Sequence, residues 1–300
     1  MKSYYSLGQT QVIRVTGEQR HDFLNRMTTN DLRDPVPQSV IPTLLTTEKG
    51  RVVDLLWHLE RGDESWLVPS PGMSETIFQQ LDQFLFPMDR ATLELDKLSH
   101  RLVLVVHEPG SPALSEWKSI PGGIAWPVEE WFSGGELMLV WGGELGATGI
   151  QQNQFLSDND FHRLRLERGV PFTGSELNGQ YHVQELGLLW AVNFSKGCYP
   201  GQEVVARIYN YEKNQRQSAL VRWNKAITPK PPARLTSDDE TAGVVTSIVR
   251  TENGFEGFGL LREKMVAEGC ELHLNTADGL VPVTYKPFRR AKPKGLKTGA

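Results

Sequence analysis

The chain has 300 residues and a net charge of −4, with 39% hydrophobic and 23% charged residues. This length allows two or three domains around a sizeable core, and the composition is ordinary for a globular protein. The slightly acidic balance argues against a protein that its overall field draws onto nucleic acid or an acidic membrane. No apolar run approaches the roughly 18 residues that span a bilayer, and the N-terminus lacks an apolar signal core, so we expect a cytoplasmic monomer.

The first half of the chain alternates between strand and helix patterns. Period-two runs separated by turn residues indicate strands, and apolar residues at spacings of three and four indicate helices. In chain order we predict a strand at 11–16, a helix capped by Thr16 and a meander of strands within 41–69. A helix follows at 74–86, with Ile77, Phe78, Leu81, Phe84 and Leu85 at the spacing of one apolar face. Strands near 91–96 and 101–107 and a hairpin within 111–142 come next.

The second half changes character after one more helix. That helix is predicted from a cap at Ser157 or Asp158 to Gly169. Past residue 215, short strands alternate with turns and leave room for one short helix at 262–267, which is typical of a small β-barrel. We predict that the last strand ends at Tyr285 and that the basic tail, 286–300, is disordered. The fold is therefore predicted as α+β, with domains at 1–212 and 213–300.

The segment NFSKGCYPGQEVVARIYNY, residues 193–211, carries the strongest chemical signal. Cys198 lies between glycines, two residues after Lys196 and shortly before a helix predicted from Gln202. A nearby cation and a helix N-terminus both favour a thiolate over a thiol. We therefore predict that Cys198 is a reactive thiolate assisted by Lys196. The alternative is a small buried side chain in a tight turn.

The second cysteine lacks such surroundings, and we expect Cys270 to be structural. Two cysteines are too few for a disulfide scaffold and fit a reducing cytosol. Cys270 and His273 have a ligand-like spacing, but a second Cys/His pair is missing, so we predict no metal site. No P-loop and no GxGxxG motif occurs, which argues against nucleotide sites of those types.

The run KGCYPGQEVVAR, residues 196–207, resembles the K-G-C-Y-x-G-Q-E-x-x-x-R signature of the YgfZ family of GcvT-like, folate-binding proteins. The resemblance implies two intertwined α/β subdomains around a central folate cavity, plus a C-terminal β-barrel. It also implies a role in supporting iron–sulfur enzymes, with an indirect effect on tRNA modification. Further family segments are matched by FLNRMTTNDL (23–32), TTEKGRVVDLL (46–56), FHRLRLERGVPFTGSEL (161–177), AGVVTSIV (242–249) and GFGLLRE (257–263).

The wider superfamily includes the aminomethyltransferase of glycine cleavage, which binds tetrahydrofolate. VQELGLLWAVNFSKG, residues 183–197, resembles its V-E-A-x-L-x-W segment, in which a glutamate anchors the pterin. The matching residue is Glu185, and one carboxylate can accept from two adjacent donors of a pterin. A solvated loop acid is the alternative for Glu185.

An aspartate pair beside the folate supports transfer in those enzymes. In the matching stretch here only Asp54 is acidic, and Leu55 takes the second position. Since adjacent strand residues face opposite sides, an offset of one position could turn Asp54 away from the cavity. The resemblance therefore implies that glycine cleavage is not the activity of this chain, while Asp54 stays a candidate for folate binding.

Two more side chains are candidates for the cofactor site. Trp190 could stack on a pterin, with a buried core tryptophan as the alternative. Arg207 is the other candidate, and an i,i+4 ion pair with Glu203 is the simpler interpretation.

Basic and aromatic residues also interleave around the end of this segment, as in an RNA-binding surface. An exposed helix end followed by a solubilising tail explains the same pattern, so we do not expect direct nucleic-acid binding. The residues concerned are Arg207, Tyr209, Tyr211, Lys213 and Arg216, and, in the tail, Lys286, Arg289, Arg290, Lys292, Lys294 and Lys297.

Three functions fit these observations. The first is a folate-dependent accessory factor that maintains or repairs iron–sulfur clusters, with tetrahydrofolate as cofactor and iron–sulfur enzymes or assembly proteins as partners. The second is a tetrahydrofolate-dependent aminomethyl transferase. The third is an interaction module whose cavity is vestigial. We favour the first. Binding of tetrahydrofolate separates the third from the others, and turnover with an aminomethyl donor separates the second from the first.

Overall fold

A computed structural model gives the fold, and it describes residues 2–108, 114, 116–211, 214–224, 229–238 and 240–288. Within those residues lie two five-stranded sheets, a closed six-stranded barrel and five α-helices. The predicted α+β class and the C-terminal barrel are therefore confirmed. The predicted domain boundary at 212–213 and the tail beyond residue 288 lie outside the described residues.

The elements are numbered in chain order. The helices are α1 (Arg20–Met27), α2 (Ser74–Asp82), α3 (Asp158–Glu167), α4 (Gln202–Asn210) and α5 (Glu263–Ala267). The strands are β1 (Lys2–Thr10), β2 (Ile13–Thr16), β3 (Val40–Thr46), β4 (Val52–Glu60), β5 (Glu64–Val68), β6 (Thr92–Leu95), β7 (His100–His107), β8 (Lys118–Ile120), β9 (Gly123–Pro127), β10 (Gly135–Val140), β11 (Arg216–Trp223), β12 (Ala233–Ser237), β13 (Glu240–Thr251), β14 (Gly254–Arg262), β15 (Leu272–Thr276) and β16 (Gly279–Pro287).

The first sheet has the order β1-β7-β10-β9-β8 and is antiparallel throughout. Its edge strand β1 pairs with β7, although every strand of the second sheet lies between them in the chain. This exchange is the intertwining that the resemblance implied. The sequence pattern did not predict β1, because its mixed polar run is half-exposed and its pairing shifts at a bulge between Ser6 and Gly8.

The second sheet has the order β3-β4-β5-β2-β6 and shares an apolar core with α1 and α2. Two predictions about these helices are wrong. Thr16 ends β2 and caps nothing, because α1 begins only at Arg20, after Gln19. Helix α2 ends at Asp82, and Phe84 is 40% exposed instead of turning inward.

The barrel closes in the order β11-β14-β13-β12-β15-β16 around its own apolar core. Its last strand ends at Pro287, two residues later than predicted. Helix α3 packs against β13 and β14 and so joins the barrel to the rest of the chain. The hydroxyl of Ser157 accepts a hydrogen bond from the backbone N–H of Asp160, which confirms the predicted cap of α3. None of the described helices is long and apolar enough to cross a membrane.

Candidate functional site

The turn between β3 and β4 and the loop before α4 are in direct contact. The hydroxyl of Thr46 donates to the carbonyl oxygen of Pro200 at 2.6 Å. A Cβ atom at Gly201 would lie 2.4 Å from the carbonyl oxygen of Thr47 and 2.6 Å from the amide nitrogen of Gly50. Two segments that the sequence singled out separately, TTEKGR and KGCYPG, therefore form one surface.

Cys198 lies exposed on this surface, and helix α4 begins four residues later, as predicted. Lys196 is buried and points into the fold, where its ammonium group donates to the carbonyl oxygens of Asn25 and Thr28. Burial lowers the pKa of Lys196 to about 8, and the carboxylate of Asp31 opposes that shift. The lysine therefore secures the loop to the C-terminal end of α1, and its charge reaches Cys198 through space instead of through a direct bond.

A cavity of about 510 Å³ lies between the two sheets and the loop after α3. Such a volume is within the ordinary range for small-molecule sites. Strand β4 contributes Val53, Leu55 and Trp57 to one wall, and the polar lining groups include Ser70 and Thr173. No charged side chain is among the described residues that line it.

Asp54 is fully buried beside this cavity without lining it. One carboxylate oxygen accepts from the backbone N–H of Ser70 at 2.9 Å, and the other has no hydrogen-bond partner. Burial raises the pKa of Asp54 to about 6, against the opposing effect of the hydrogen bond from Ser70. Leu55, at the position of the second acid, is the one that faces the cavity. A role for Asp54 in folate binding stays a prediction.

Glu185 is also buried, and both of its carboxylate oxygens are in use. Arg216, the first residue of β11, donates to them at 2.6 and 3.3 Å, and the backbone N–H of His182 donates at 2.9 Å. A carboxylate offers about four acceptor positions, so about one is left. Anchoring a pterin through two donors would require Arg216 to release one oxygen. The pterin role of Glu185 stays a prediction with that added condition.

Glu185 does not line the cavity, and the remaining two candidates do not line it either. Trp190 is a buried residue of the main core and borders a separate groove beside Phe288. Arg207 is exposed on α4, and no ion pair joins it to Glu203, which is exposed as well. The predicted i,i+4 pair is therefore wrong, because two solvated side chains gain little from pairing at a surface.

The interleaved basic and aromatic residues after α4 do not form one open surface. Tyr209 packs its ring on Phe194, with ring centres 4.9 Å apart, and Arg216 is held by Glu185. Lys213 lies outside the described residues. Of the described residues in this basic and aromatic group, Tyr209 and Arg216 thus contact other side chains of the protein and are not free to bind RNA.

One buried carboxylate, absent from the sequence predictions, joins two family segments. Glu176 pairs with Arg165 of α3 at 3.3 Å, with side chains 0% and 2% exposed. Its other oxygen accepts from the hydroxyls of Thr246 and Ser247 on β13. The four residues were visible in the segments that resemble the family: Arg165 and Glu176 lie in the segment 161–177, and Thr246 and Ser247 lie in the segment 242–249.

Comparison with known proteins adds to this geometry. No protein-family model matches the chain. A chloroplast protein of Arabidopsis thaliana, named as a transferase, is 24% identical over 83% of this chain, which spans 62% of that relative's length. The tRNA-modifying protein YgfZ of Colwellia psychrerythraea is 23% identical over 70% of this chain and 68% of its own length. A mitochondrial iron–sulfur cluster assembly factor of mouse is 25% identical over 93% of this chain and 84% of its own.

This chain is a relative of the YgfZ proteins. Its fold is that of the glycine cleavage aminomethyltransferase T from Bartonella henselae, with a TM-score of 0.78 over 99% of this chain and 88% of the other. The two sequences are only 15% identical, so this likeness concerns the fold alone. The KGCYPG loop, the hairpin below it and the cavity are therefore parts of an aminomethyltransferase fold in a chain related to YgfZ.

Proposed function

We propose that this protein is a cytoplasmic, tetrahydrofolate-binding accessory factor that maintains or repairs iron–sulfur enzymes and thereby affects tRNA modification. The observation that carries the proposal is the exposed thiol of Cys198 on a loop seated against the hairpin at 46–51. The names of the bacterial and mitochondrial relatives support it. We propose further that residues 1–212 form the folate-binding region and residues 213–300 a barrel domain.

The cavity is the proposed folate site. Its volume of about 510 Å³ exceeds what a pterin ring alone requires, and its walls are mostly apolar with a few hydroxyl and amide groups. Apolar walls suit the flat faces of a pterin, while scattered polar groups can fix its orientation. The charged glutamate tail of folate would then extend toward solvent, because the described lining residues carry no charge to receive it.

Aminomethyl transfer is the second candidate, and the fold is what favours it. The lining of the cavity opposes it. Leu55 presents a hydrocarbon side chain where a transferase would need a carboxylate, and Asp54 is held against the backbone of Ser70. Turnover of an aminomethyl donor with tetrahydrofolate by the purified protein would establish this alternative in place of the accessory role.

Binding is tested by calorimetry of the full chain with tetrahydrofolate. We expect wild type to bind, and Glu185→Gln to bind more weakly by about 10- to 150-fold, the equivalent of about 1.5–3 kcal/mol for a lost charge-assisted bond. The matched control is Glu256→Gln, since Glu256 accepts from Arg222 at 2.6 Å as Glu185 accepts from Arg216. If wild type, Glu185→Gln and Glu256→Gln bind tetrahydrofolate with equal affinity, Glu185 is not part of the site. If wild type does not bind tetrahydrofolate, folate is not the ligand.

The cellular role is tested by complementation. A strain that lacks the protein is assayed for iron–sulfur enzyme activities after return of wild type, Cys198→Ala or Cys270→Ala. We expect wild type and Cys270→Ala to restore the activities and Cys198→Ala to fail. Full rescue by Cys198→Ala would contradict a function of the exposed thiol.

A further inference from the structure

Two histidines and a glutamate meet where helix α1 adjoins the second sheet, and none of the three lines the cavity. His58 and Glu60 are two residues apart on β4 and so share one face of the sheet, while His21 comes from α1. Their ligand atoms all lie within 4.8 Å of one another. The Oε2 atom of Glu60 is 2.8 Å from Nε2 of His21 and 3.8 Å from Nε2 of His58.

His58 is buried, and its two ring nitrogens lack the hydrogen-bond partners that buried polar atoms normally have. The side chain of His58 is 0% exposed, and neither of its ring nitrogens has a hydrogen-bond partner. Buried polar groups are hydrogen-bonded in the great majority of cases, so a fully buried, unpartnered imidazole calls for an explanation. One of its nitrogens is aimed at the same carboxylate oxygen that His21 contacts.

We propose that His21, His58 and Glu60 form a binding site for a divalent transition-metal ion, with zinc as the best match. Two imidazoles and one carboxylate are a known set of zinc ligands, and three protein ligands leave a fourth position open for water or substrate. Bonds of 2.0–2.1 Å in tetrahedral geometry place ligand atoms about 3.4 Å apart. The observed separations of 2.8 and 3.8 Å lie on either side of that value, so small rotations of the side chains complete the site.

The groups around the three ligands orient them and select among metals. Arg20 and the backbone N–H of Gly62 both donate to Oε1 of Glu60, at 3.1 and 3.2 Å, which leaves Oε2 turned toward the histidines. The hydroxyl of Ser65 donates to Oε2 at 2.9 Å. Because Arg20 already balances the carboxylate charge, the site offers little net negative charge. It therefore favours a borderline ion held by imidazole nitrogen over calcium or magnesium, which require several oxygen ligands.

Access to the site is through the histidine on the helix. The side chain of His21 is 23% exposed, whereas that of Glu60 is 5% exposed. An ion can thus enter from solvent without unfolding of the strand. The sequence pattern predicted no metal site, because Cys270 and His273 have a ligand-like spacing without a second Cys/His pair. The H-x-E pattern on a predicted strand was visible, but its third ligand lies 37 positions upstream on a separate element.

The test uses the full chain, freed of metal with a chelator and then titrated with zinc by calorimetry and with cobalt by visible absorption. We expect one equivalent of each to bind, with the ligand-field bands of four-coordinate cobalt. His21→Gln and Glu60→Gln should each weaken zinc binding by at least about tenfold, since even the loss of a residue that only hydrogen-bonds a metal ligand commonly costs about 10- to 100-fold. His21→Gln alters a partly exposed side chain and therefore keeps the test valid if variants of buried residues fail to fold.

The control is His107→Gln, because His107 also contacts a glutamate, Glu136 at 3.2 Å, but is not part of the cluster. It should bind zinc as wild type does. The proposal is overturned if wild type takes up no zinc or cobalt at one equivalent, or if His21→Gln binds as tightly as wild type. It is equally overturned if His107→Gln weakens binding as much as His21→Gln, because the zinc then lies elsewhere.

Discussion

Gly201 lies directly on the backbone of Thr47, so close that a Cβ atom there would be 2.4 Å from the carbonyl oxygen of Thr47. Gly201 also has a φ of +81°, in the left-handed region that favours glycine. The position thus excludes a side chain both by space and by conformation. This contact sets where the loop with Cys198 rests on the hairpin.

Gly201→Ala should destabilise the protein by at least roughly 1–3 kcal/mol, because the left-handed conformation and the steric conflict both penalise a methyl group. The control is Gly197→Ala in the same loop, where a Cβ would meet nothing within 4 Å. Its stability should stay within about 0.5 kcal/mol of wild type. Urea denaturation of both variants provides the measurement, and equal stability of the two would refute the close packing at Gly201.

Glu176→Gln should lower stability by about 3–5 kcal/mol, since it leaves the guanidinium of Arg165 buried without a counter-charge. The side chains involved are 0% and 2% exposed, so solvent cannot compensate. Glu18→Gln is the control, because Glu18 and Arg90 form an exposed pair that should contribute little. Calorimetric melting of both variants decides the matter, and a Glu176→Gln protein as stable as wild type would disprove the buried pair.

Cys198 should react with iodoacetamide faster than Cys270 in the native protein. Cys198 is exposed, whereas Cys270 is partly buried and packs against the barrel core, which hinders access of the reagent to its sulfur. Replacing Lys196 by Ala removes a cation near Cys198, so labelling of Cys198 should become slower. Peptide mass spectrometry across a pH series measures both effects, and faster labelling of Cys270 would contradict the assignment of the reactive thiol.

Asp54→Asn should stabilise the protein at neutral pH and leave it nearly unchanged in mild acid. Burial raises the pKa of Asp54 from 3.8 to about 6, so the folded state holds a proton that the unfolded state releases. The stabilisation from that proton is complete below the unfolded pKa and is lost as pH rises through the folded pKa. The shift corresponds to an upper limit of about 3 kcal/mol in favour of Asn above roughly pH 7.

The comparison requires stability curves of both proteins from roughly pH 4 to pH 8. The difference between wild type and Asp54→Asn isolates this carboxyl from other groups that titrate in the same range. A constant difference across the series would mean that Asp54 titrates alike in folded and unfolded chains.

Local patterns sufficed to predict the elements whose structure is determined locally. Five of the six barrel strands, the cap at Ser157 and the start of α4 all depend on turns and periodicity within a few residues, and they are observed near their predicted positions, whereas β12 was not predicted. Strand β1 has no comparable pattern, because its partner β7 lies some hundred positions away and fixes it through pairing. Phe84 was placed inward by its spacing, yet α2 ends at Asp82, so the periodicity no longer applies there.

The candidate site shows the same division. The sequence identified the loop with Cys198, because an unusual run of glycine, cysteine and lysine is visible without any tertiary information. It did not predict that Lys196 points into the fold and donates to the carbonyl oxygen of Thr28, nor that Arg216 forms an ion pair with Glu185. Both contacts bring together residues far apart in the chain. The cluster of His21, His58 and Glu60 was missed for the same reason.

The contact between Thr46 and Pro200 spans 154 positions of the chain and therefore governs the order of events during synthesis. At about 5–20 residues per second, a ribosome needs roughly 8–30 s to add the segment between them. Throughout that interval the hairpin is already made while the loop that covers it does not yet exist. Closing such distant contacts also slows folding, because the entropy of a long loop is lost before the contact forms. The hairpin surface of the nascent protein therefore stays uncovered for that interval, and the loop with Cys198 can close over it only after two thirds of the chain has been made.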